Sequence, residues 1–338
     1  MYFVRILFLV FTVLDVSYAI HKRSAKPSSC LDRYEAIPDH TMCLNNIKNR
    51  PVKEADRSVI ERVHNQIRGN VTPAAADMLE MRYDQPLELE AQLWAEECKL
   101  DHDGNYQRFM PGRFMVGQNL VTSPNQMSWE AVIMLWSSEV INFTYNSTAN
   151  QLHKVGHYTQ VVWAKTALVG CGMAECGTKW YYACNYGPAG NIGSLARPYK
   201  KATSGGSCDD CAGHCNGTSR LCACGGKVCL NDGVLNLATC GCQCIQDVDH
   251  YDSDKCDLTC EDDGDSPLCG NYPFVKDQCA TNAKALYFCP NMCNICPYAG
   301  ANYTEGSVAL PTVGSSSTML LIDSYLMFTM LLIMSGVY

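Results

Sequence analysis

The sequence predicts an α+β fold, an α-β-α sandwich followed by small disulfide-rich modules, and three observations carry that expectation. Residues 45–205 hold only four of the 22 cysteines, whereas residues 208–296 hold sixteen. Within the cysteine-poor part, three segments of helical period come first and three runs rich in β-branched and aromatic residues come later. Helices and strands that both need cover stack as layers, while a short cysteine-dense stretch cannot bury a sufficient core and is stapled instead.

The first helix is expected over residues 55–69, where Val59, Val63 and Ile67 form one stripe and Gly69 supplies a stop. The second is expected over 87–100, with Leu89, Leu93, Trp94 and Glu97 on its stripe. Ser128 is an N-cap residue type and opens a third helix running to about residue 143. Strands are expected over 158–164, 167–173 and 179–186, separated by glycine-containing turns.

The two ends set the compartment. Arg5, the apolar run 6–14 and Ser17-Tyr18-Ala19 read as a signal peptide over 1–19, followed by an N-terminal extension, 20–54. An even count of 22 Cys fits an oxidising, extracellular destination. Sequons at Asn70, Asn142, Asn146, Asn216 and Asn302 fit a secreted glycoprotein. At the other end, residues 319–338 form an apolar tail with no basic flank, and small residues at Gly306-Ser307 and Gly314 to Ser317 lie in the preceding linker, 298–318. Small site, spacer and terminal tail read as a GPI-attachment signal rather than a spanning helix. A net charge of -8 argues against nucleic acid as a partner.

Four motifs stand in order: His64-Asn65-Gln66-Ile67-Arg68, Gly117-Gln118-Asn119-Leu120, Gly156-His157-Tyr158-Thr159-Gln160-Val161-Val162-Trp163, and Tyr181 to Ile192 with its core Cys184-Asn185-Tyr186-Gly187-Pro188-Ala189-Gly190-Asn191. On them, residues 55–200 resemble the CAP superfamily of cysteine-rich secretory, antigen 5 and pathogenesis-related proteins. The resemblance implies a CAP-type α-β-α sandwich. It also implies a cleft that gathers two His and two acidic residues, of which His102, Glu139 and His157 carry over while Gln118 holds the fourth position, as in the antigen 5 type.

Two imidazoles can hold Zn²⁺ reversibly through neutral nitrogens while a carboxylate orients them, so His102/His157 is a candidate Zn site, although no cofactor is required. A buried polar network that fixes helices to sheet is an equally weighted account of the same four side chains. Gln118 cannot take a proton, so a two-carboxylate acid-base mechanism is not expected, and no catalytic residue is assigned.

The resemblance also implies the cysteine pairing: Cys30-Cys43 in the extension, then Cys98-Cys176 and Cys171-Cys184 in the CAP domain. A four-cysteine hinge over 205–223 takes Cys208-Cys215 and Cys211-Cys222. An EGF-like module over 224–256 takes Cys224-Cys240, Cys229-Cys242 and Cys244-Cys256. An ShK toxin-like module over 257–297 takes Cys260-Cys296, Cys269-Cys289 and Cys279-Cys293.

The expected function is a non-enzymatic, secreted or GPI-anchored extracellular binding protein whose partners are proteins, glycans or lipids/sterols. Phe109, Met110, Phe114 and Met115 are the residues of a candidate lipid groove, with a core role as the plainer account. Two alternatives stand beside it. One is a metal-dependent extracellular endoprotease using His102 and Glu139. The other is an ion-channel regulator acting through residues 260–296, with Lys284 and Tyr287 as its basic-aromatic pair.

Overall fold

The structure is a computed structural model that describes residues 30–45, 52–203, 206–246, 251–252, 254–259 and 265–296. The signal peptide, the GPI-type signal with its tail, Asn302 and Cys260 lie outside the described residues. No helix among the described residues is long and apolar enough to cross a membrane.

The central sheet is four-stranded, in the order β1-β3-β4-β2, with β1 Arg82–Tyr83, β2 Gly117–Ser123, β3 Leu168–Cys176 and β4 Lys179–Gly187. β1 runs parallel to β3 and the remaining pairs are antiparallel. The extension carries the short helix α1, Asp32–Glu35. Helix α3, Gln85–Glu96, covers one face of the sheet, and α2 (Glu54–Gly69), α4 (Trp129–Ser137) and α5 (Leu152–Val161) cover the other.

Strand alternation sorts the two cores. Val169, Cys171, Tyr182, Cys184 and Tyr186 point into a core with Ile60, Val63, Trp136 and Tyr158. Their neighbours Ala174 and Ala183 meet Ala91 and Ala95 of α3. Small residues on that second face let α3 lie close: a Cβ on Gly172 would fall 2.3 Å from Gln92 Cα. Gln92 uses that proximity to bond the backbone of Met173 with both ends of its amide, at 2.9 and 3.0 Å. The outward N–H and C=O of Met173, beyond the short pairing of β3 with β1, are thereby satisfied.

Two elements differ from expectation. Residues 158–164 do not form a strand; most of them lie in α5, which begins at Leu152. The β-branched and aromatic content that suggested a strand serves a helix, because Val155, Tyr158 and Thr159 bury one side at helical spacing. Strand β2 follows no expected element, since Gly117-Gln118-Asn119 has no period-2 apolar pattern. The third helix is capped by Ser128, which accepts from Ala131 N, but it ends at Ser137 and continues as a 3₁₀ turn over Ser138–Asn142.

The structure joins Cys30–Cys43, Cys98–Cys176, Cys171–Cys184, Cys208–Cys215, Cys211–Cys222, Cys224–Cys240, Cys229–Cys242, Cys244–Cys256, Cys269–Cys289 and Cys279–Cys293. The segments after residue 205 are not loosely tethered. Strands β5 (Cys215–Asn216) and β6 (Leu221–Cys222) form a hairpin whose Cys222 exchanges backbone bonds with Met78 and Glu80, both 2.8 Å. Strands β7 (Val234–Asn236) and β8 (Gly241–Gln243) form a second hairpin. Just before it, Asn231 Nδ2 donates to Gly112 O at 3.1 Å and Cys256 O at 2.8 Å. Helix α6, Ala283–Phe288, closes the last segment. One apolar cluster joins Leu87, Met110 and Phe114 to Cys208, Val228 and Leu230, and another joins Ile37 and Phe109 to Leu258, Leu286 and Ile295.

Candidate functional site

The sandwich core is fixed first by Arg68. Its buried guanidinium donates to the carbonyls of Leu79, Val161, Trp163, Ala164 and Thr166, gathering turn carbonyls that lie outside the sheet's ladders. One turn earlier on α2, His64 Nδ1 donates to Ile60 O at 2.8 Å, so its Nε2 accepts from Tyr186 Oη at 3.0 Å. Asn119 Nδ2 donates in turn to that phenol oxygen at 3.4 Å and to His157 O at 3.1 Å.

The edge strand β2 organises the cleft, because consecutive residues of a strand point to opposite faces. Gln118 turns to the α3 side and meets His102; Asn119 turns to the other side and holds the backbone of His157. Gly117 permits this packing, since a Cβ there would lie 2.1 Å from Gln160 Oε1.

His102 sits on the loop between α3 and β2, and that loop is braced by the N-terminal extension. Thr41 Oγ1 donates to Asp103 Oδ2 at 2.6 Å, His40 Nε2 to Phe109 O at 2.6 Å, and Arg108 Nε to Val116 O at 2.9 Å. Tyr34 and Met42 of the extension pack on Leu89 and Leu93 of α3.

A chain of amides then fixes the His102 tautomer. Asn185 Nδ2 donates to Glu90 Oε2 at 2.9 Å, which turns Asn185 Oδ1 toward Gln118 Nε2 at 3.1 Å. Gln118 therefore offers Oε1 to His102, and Nδ1 of His102 carries the hydrogen in that 2.8 Å bond. Nε2 keeps its lone pair. Burial holds the His102 imidazole below its usual pKa, and Arg108 and His157 nearby act in the same direction against the bond from Gln118. Behind it, burial and the neighbouring Asp103 push the Glu90 carboxyl well above its ordinary value.

His157 is fixed in the matching way. Glu139, in the 3₁₀ turn after α4, accepts from His157 Nδ1 at 2.6 Å, from His157 N at 2.9 Å and from Tyr158 N at 3.2 Å. The carboxylate bonds the backbone of α5 midway along the helix and orients the ring at once, and Trp136 stacks near the same imidazole with centroids 6.2 Å apart. Nε2 is again the free nitrogen.

All four expected cleft residues thus come together as two pairs, His102 with Gln118 and His157 with Glu139. Glu90, Asn119 and Asn185 complete the network and were not anticipated; Asn185 lies in a quoted motif, whereas Glu90 carries no signal beyond a helix buried on nearly every side. Two Nε2 atoms, each on a ring oriented by a partner on Nδ1, fit a weak divalent site. Among the described residues, the three metal-capable side chains grouped within ligand distance are Cys208, Cys211 and Cys222, and all are in disulfides. Hydroxyls near the cleft are engaged: Ser138 Oγ donates to Leu135 O, and Thr159 Oγ1 to Val155 O.

Other expected residues fall elsewhere. Phe109 and Met110 are core residues, and Phe114 is buried against Arg113, its ring 4.6 Å from the guanidinium carbon. Phe114 and Met115 nevertheless line an open groove of which Phe109 and Met110 are not part. Lys284 is exposed, but Tyr287 is buried against Phe109 with centroids 5.7 Å apart, so the two cannot present a basic-aromatic pair to a pore. Asn70, Asn142 and Asn146 are exposed; Asn70 also bonds to Arg220, and Asn216 bonds to Glu80.

The comparisons with known proteins agree with this geometry at the level of class. A model described as the cysteine-rich secretory protein family, CAP, matches residues 61–186, which contain the sheet, three of its helices and all four cleft residues. The chain belongs to the CAP family. Its relatives include a cysteine-rich venom protein of Conus textile, 36% identical over 222 residues that cover 62% of this chain and 71% of the relative. Cysteine-rich venom protein Mr30 of Conus marmoreus is 34% identical over 284 residues, covering 80% of this chain and 92% of that one. Among solved structures, NaASP2 with Zn²⁺ matches with a TM-score of 0.45 and 27% identity, over 52% of this chain and 98% of that chain.

Proposed function

We propose that this chain is a non-enzymatic extracellular binding protein whose cleft holds a divalent metal reversibly between His102 Nε2 and His157 Nε2. The observation that carries the reading is the pair of fixed tautomers, which leaves one lone pair on each imidazole. The same contacts support the non-enzymatic part of the reading. Glu139 is committed to three donors, Gln118 cannot ionise, and neither neighbouring hydroxyl is paired with an imidazole. Bound Zn²⁺ would supply a charged, Lewis-acidic point in the cleft; this chain's residues would hold it and orient its ligands.

Titration calorimetry with Zn²⁺ is expected to show one site, abolished in His102→Ala and in His157→Ala and weakened about 10- to 100-fold in Glu139→Gln. A casein-cleavage assay run alongside is expected to stay at background with and without the metal. Zinc-dependent cleavage lost in a folded His102→Ala variant would establish the protease instead.

The partner classes, extracellular proteins, glycans or lipids/sterols, belong to the same proposal, as does membrane attachment through a C-terminal GPI anchor or tail. Segments 205–223, 224–256 and 257–297 are proposed as hinge, EGF-like and ShK toxin-like modules. The pairing of first with third, second with fourth and fifth with sixth Cys in 224–256 supports the middle assignment.

A further inference from the structure

Away from the cleft, an open groove of about 1650 Å³ runs where three parts of the chain meet. The CAP domain supplies Trp163, Lys165 and Ile192; the β7 region supplies Asp232 to Ala238; α6 supplies Ala283, Lys284 and Tyr287. Its volume exceeds the ~300–1,000 Å³ of ordinary small-molecule sites. Its floor is apolar and accessible, with Ile192 64% and Val234 50% exposed.

Charge along its walls opposes that of the molecule. Six cationic side chains face three aspartates in a chain of net charge -8. Two of those aspartates are already engaged with Lys200: Asp210 through its ammonium at 2.6 Å, Asp77 through its backbone N–H at 2.8 Å. Lys165 of the CAP domain and Lys284 of α6 are both exposed, both line the groove, and both lie near enough to the third, Asp232, to act on it electrostatically.

The wall formed by residues 232–238 has a further property. Val234, Leu235 and Asn236 of β7 line the groove, no residue of β8 does, and among the described residues β7 pairs with β8 alone. A strand with one covered edge offers backbone N–H and C=O groups to an incoming strand.

We propose that this groove binds an extended acidic segment of a partner protein, with alternate apolar side chains on the floor, carboxylates at Lys165 and Lys284, and backbone pairing along β7. Strand addition gives such a site affinity through main-chain bonds and selectivity through the pockets that take every second residue. A free acidic amphiphile would use the lysines and the floor without the strand edge, and is the alternative that the experiment separates.

The test uses the full-length secreted protein and three probes: a fluorescein-labelled nonapeptide alternating Glu and Val, its counterpart alternating Lys and Val, and sodium oleate as a competitor. Saturable binding of the acidic peptide is expected by anisotropy, with no saturation by the basic one. In Lys165→Glu/Lys284→Glu the affinity should fall about tenfold or more, as complementary charge is reversed at two points. The charge-matched control Lys154→Glu/Lys179→Glu, altered at exposed positions outside the groove, should bind like the parent. Both variants should keep the parent's melting temperature. The proposal is overturned if the acidic peptide fails to bind, if both double variants weaken it equally, or if oleate binds in the groove while the peptide does not. Because no probe contacts His102 or His157, the outcome is independent of the metal titration.

Discussion

At the scale of single residues, burial of titratable groups sets the acid behaviour of the molecule. Burial lowers His40 and His64 to about 4, whereas an unfolded histidine titrates near ~6.5. Between those values the unfolded chain takes up protons that the folded chain refuses. Stability from each group is therefore complete above about pH 6.5 and is lost as pH falls toward about 4, at roughly 1.4 kcal/mol per pH unit. Thermal melts at stepped pH should show the midpoint dropping through that window. A midpoint that stays flat on acidification would contradict the buried, neutral state of both rings. Gln118 teaches a related lesson: an amide in place of a carboxylate keeps the His102 ring oriented while removing a charge that the low-dielectric pocket would have had to accommodate.

At the scale of elements, the contact of α3 with the sheet depends on having no side chain between them. In Gly172→Ala the new methyl meets Gln92 Cα and N, backbone atoms that cannot turn away, so the helix itself must shift. The expected cost is ~1–3 kcal/mol or more, read as a lower guanidinium midpoint. Gly177→Ala, in the β3–β4 turn at φ +63° with nothing within 4 Å, should cost only about 1 kcal/mol, through backbone strain alone. If the two variants melt alike, close helix-sheet approach is not what Gly172 provides.

Legibility at this scale followed apolar periodicity. Helices α2, α3 and α4 and strands β3 and β4 advertise themselves through stripes and β-branched runs. Helix α5 does not, because Tyr158, Thr159 and Val161 have strand-like composition yet lie in a helix, where Tyr158 packs on Phe143. Strand β2 is polar where it does its work, and a polar edge strand has no pattern to read. The cleft was legible through its resemblance to a family, in His102, Gln118, Glu139 and His157. Its supports were not, since Glu90 and Asn185 are recognisable only once the amide chain is seen in three dimensions.

At the scale of the whole molecule, the segments after residue 205 contribute to the core of the CAP domain rather than hanging from it. Leu79, Leu87, Met110, Phe114 and Val116 bury themselves against Cys208, Cys211, Val228 and Leu230. A chain truncated after residue 203 should consequently bind the dye ANS and melt below the full-length protein, even with Cys98–Cys176 and Cys171–Cys184 intact. Equal melting temperatures and no dye binding would show that the shared cluster adds nothing to the CAP domain.

The cluster around Ile37 and Phe109 also has a direction in time. A ribosome makes residue 37 long before Leu258, Leu286 and Ile295, yet these are its neighbours in the finished protein. The Cys30–Cys43 loop can close early, but the surface it presents stays uncovered until the last module emerges. The bonds from the extension to the His102 loop can therefore form early, whereas its Ile37 face is covered only near the end of synthesis.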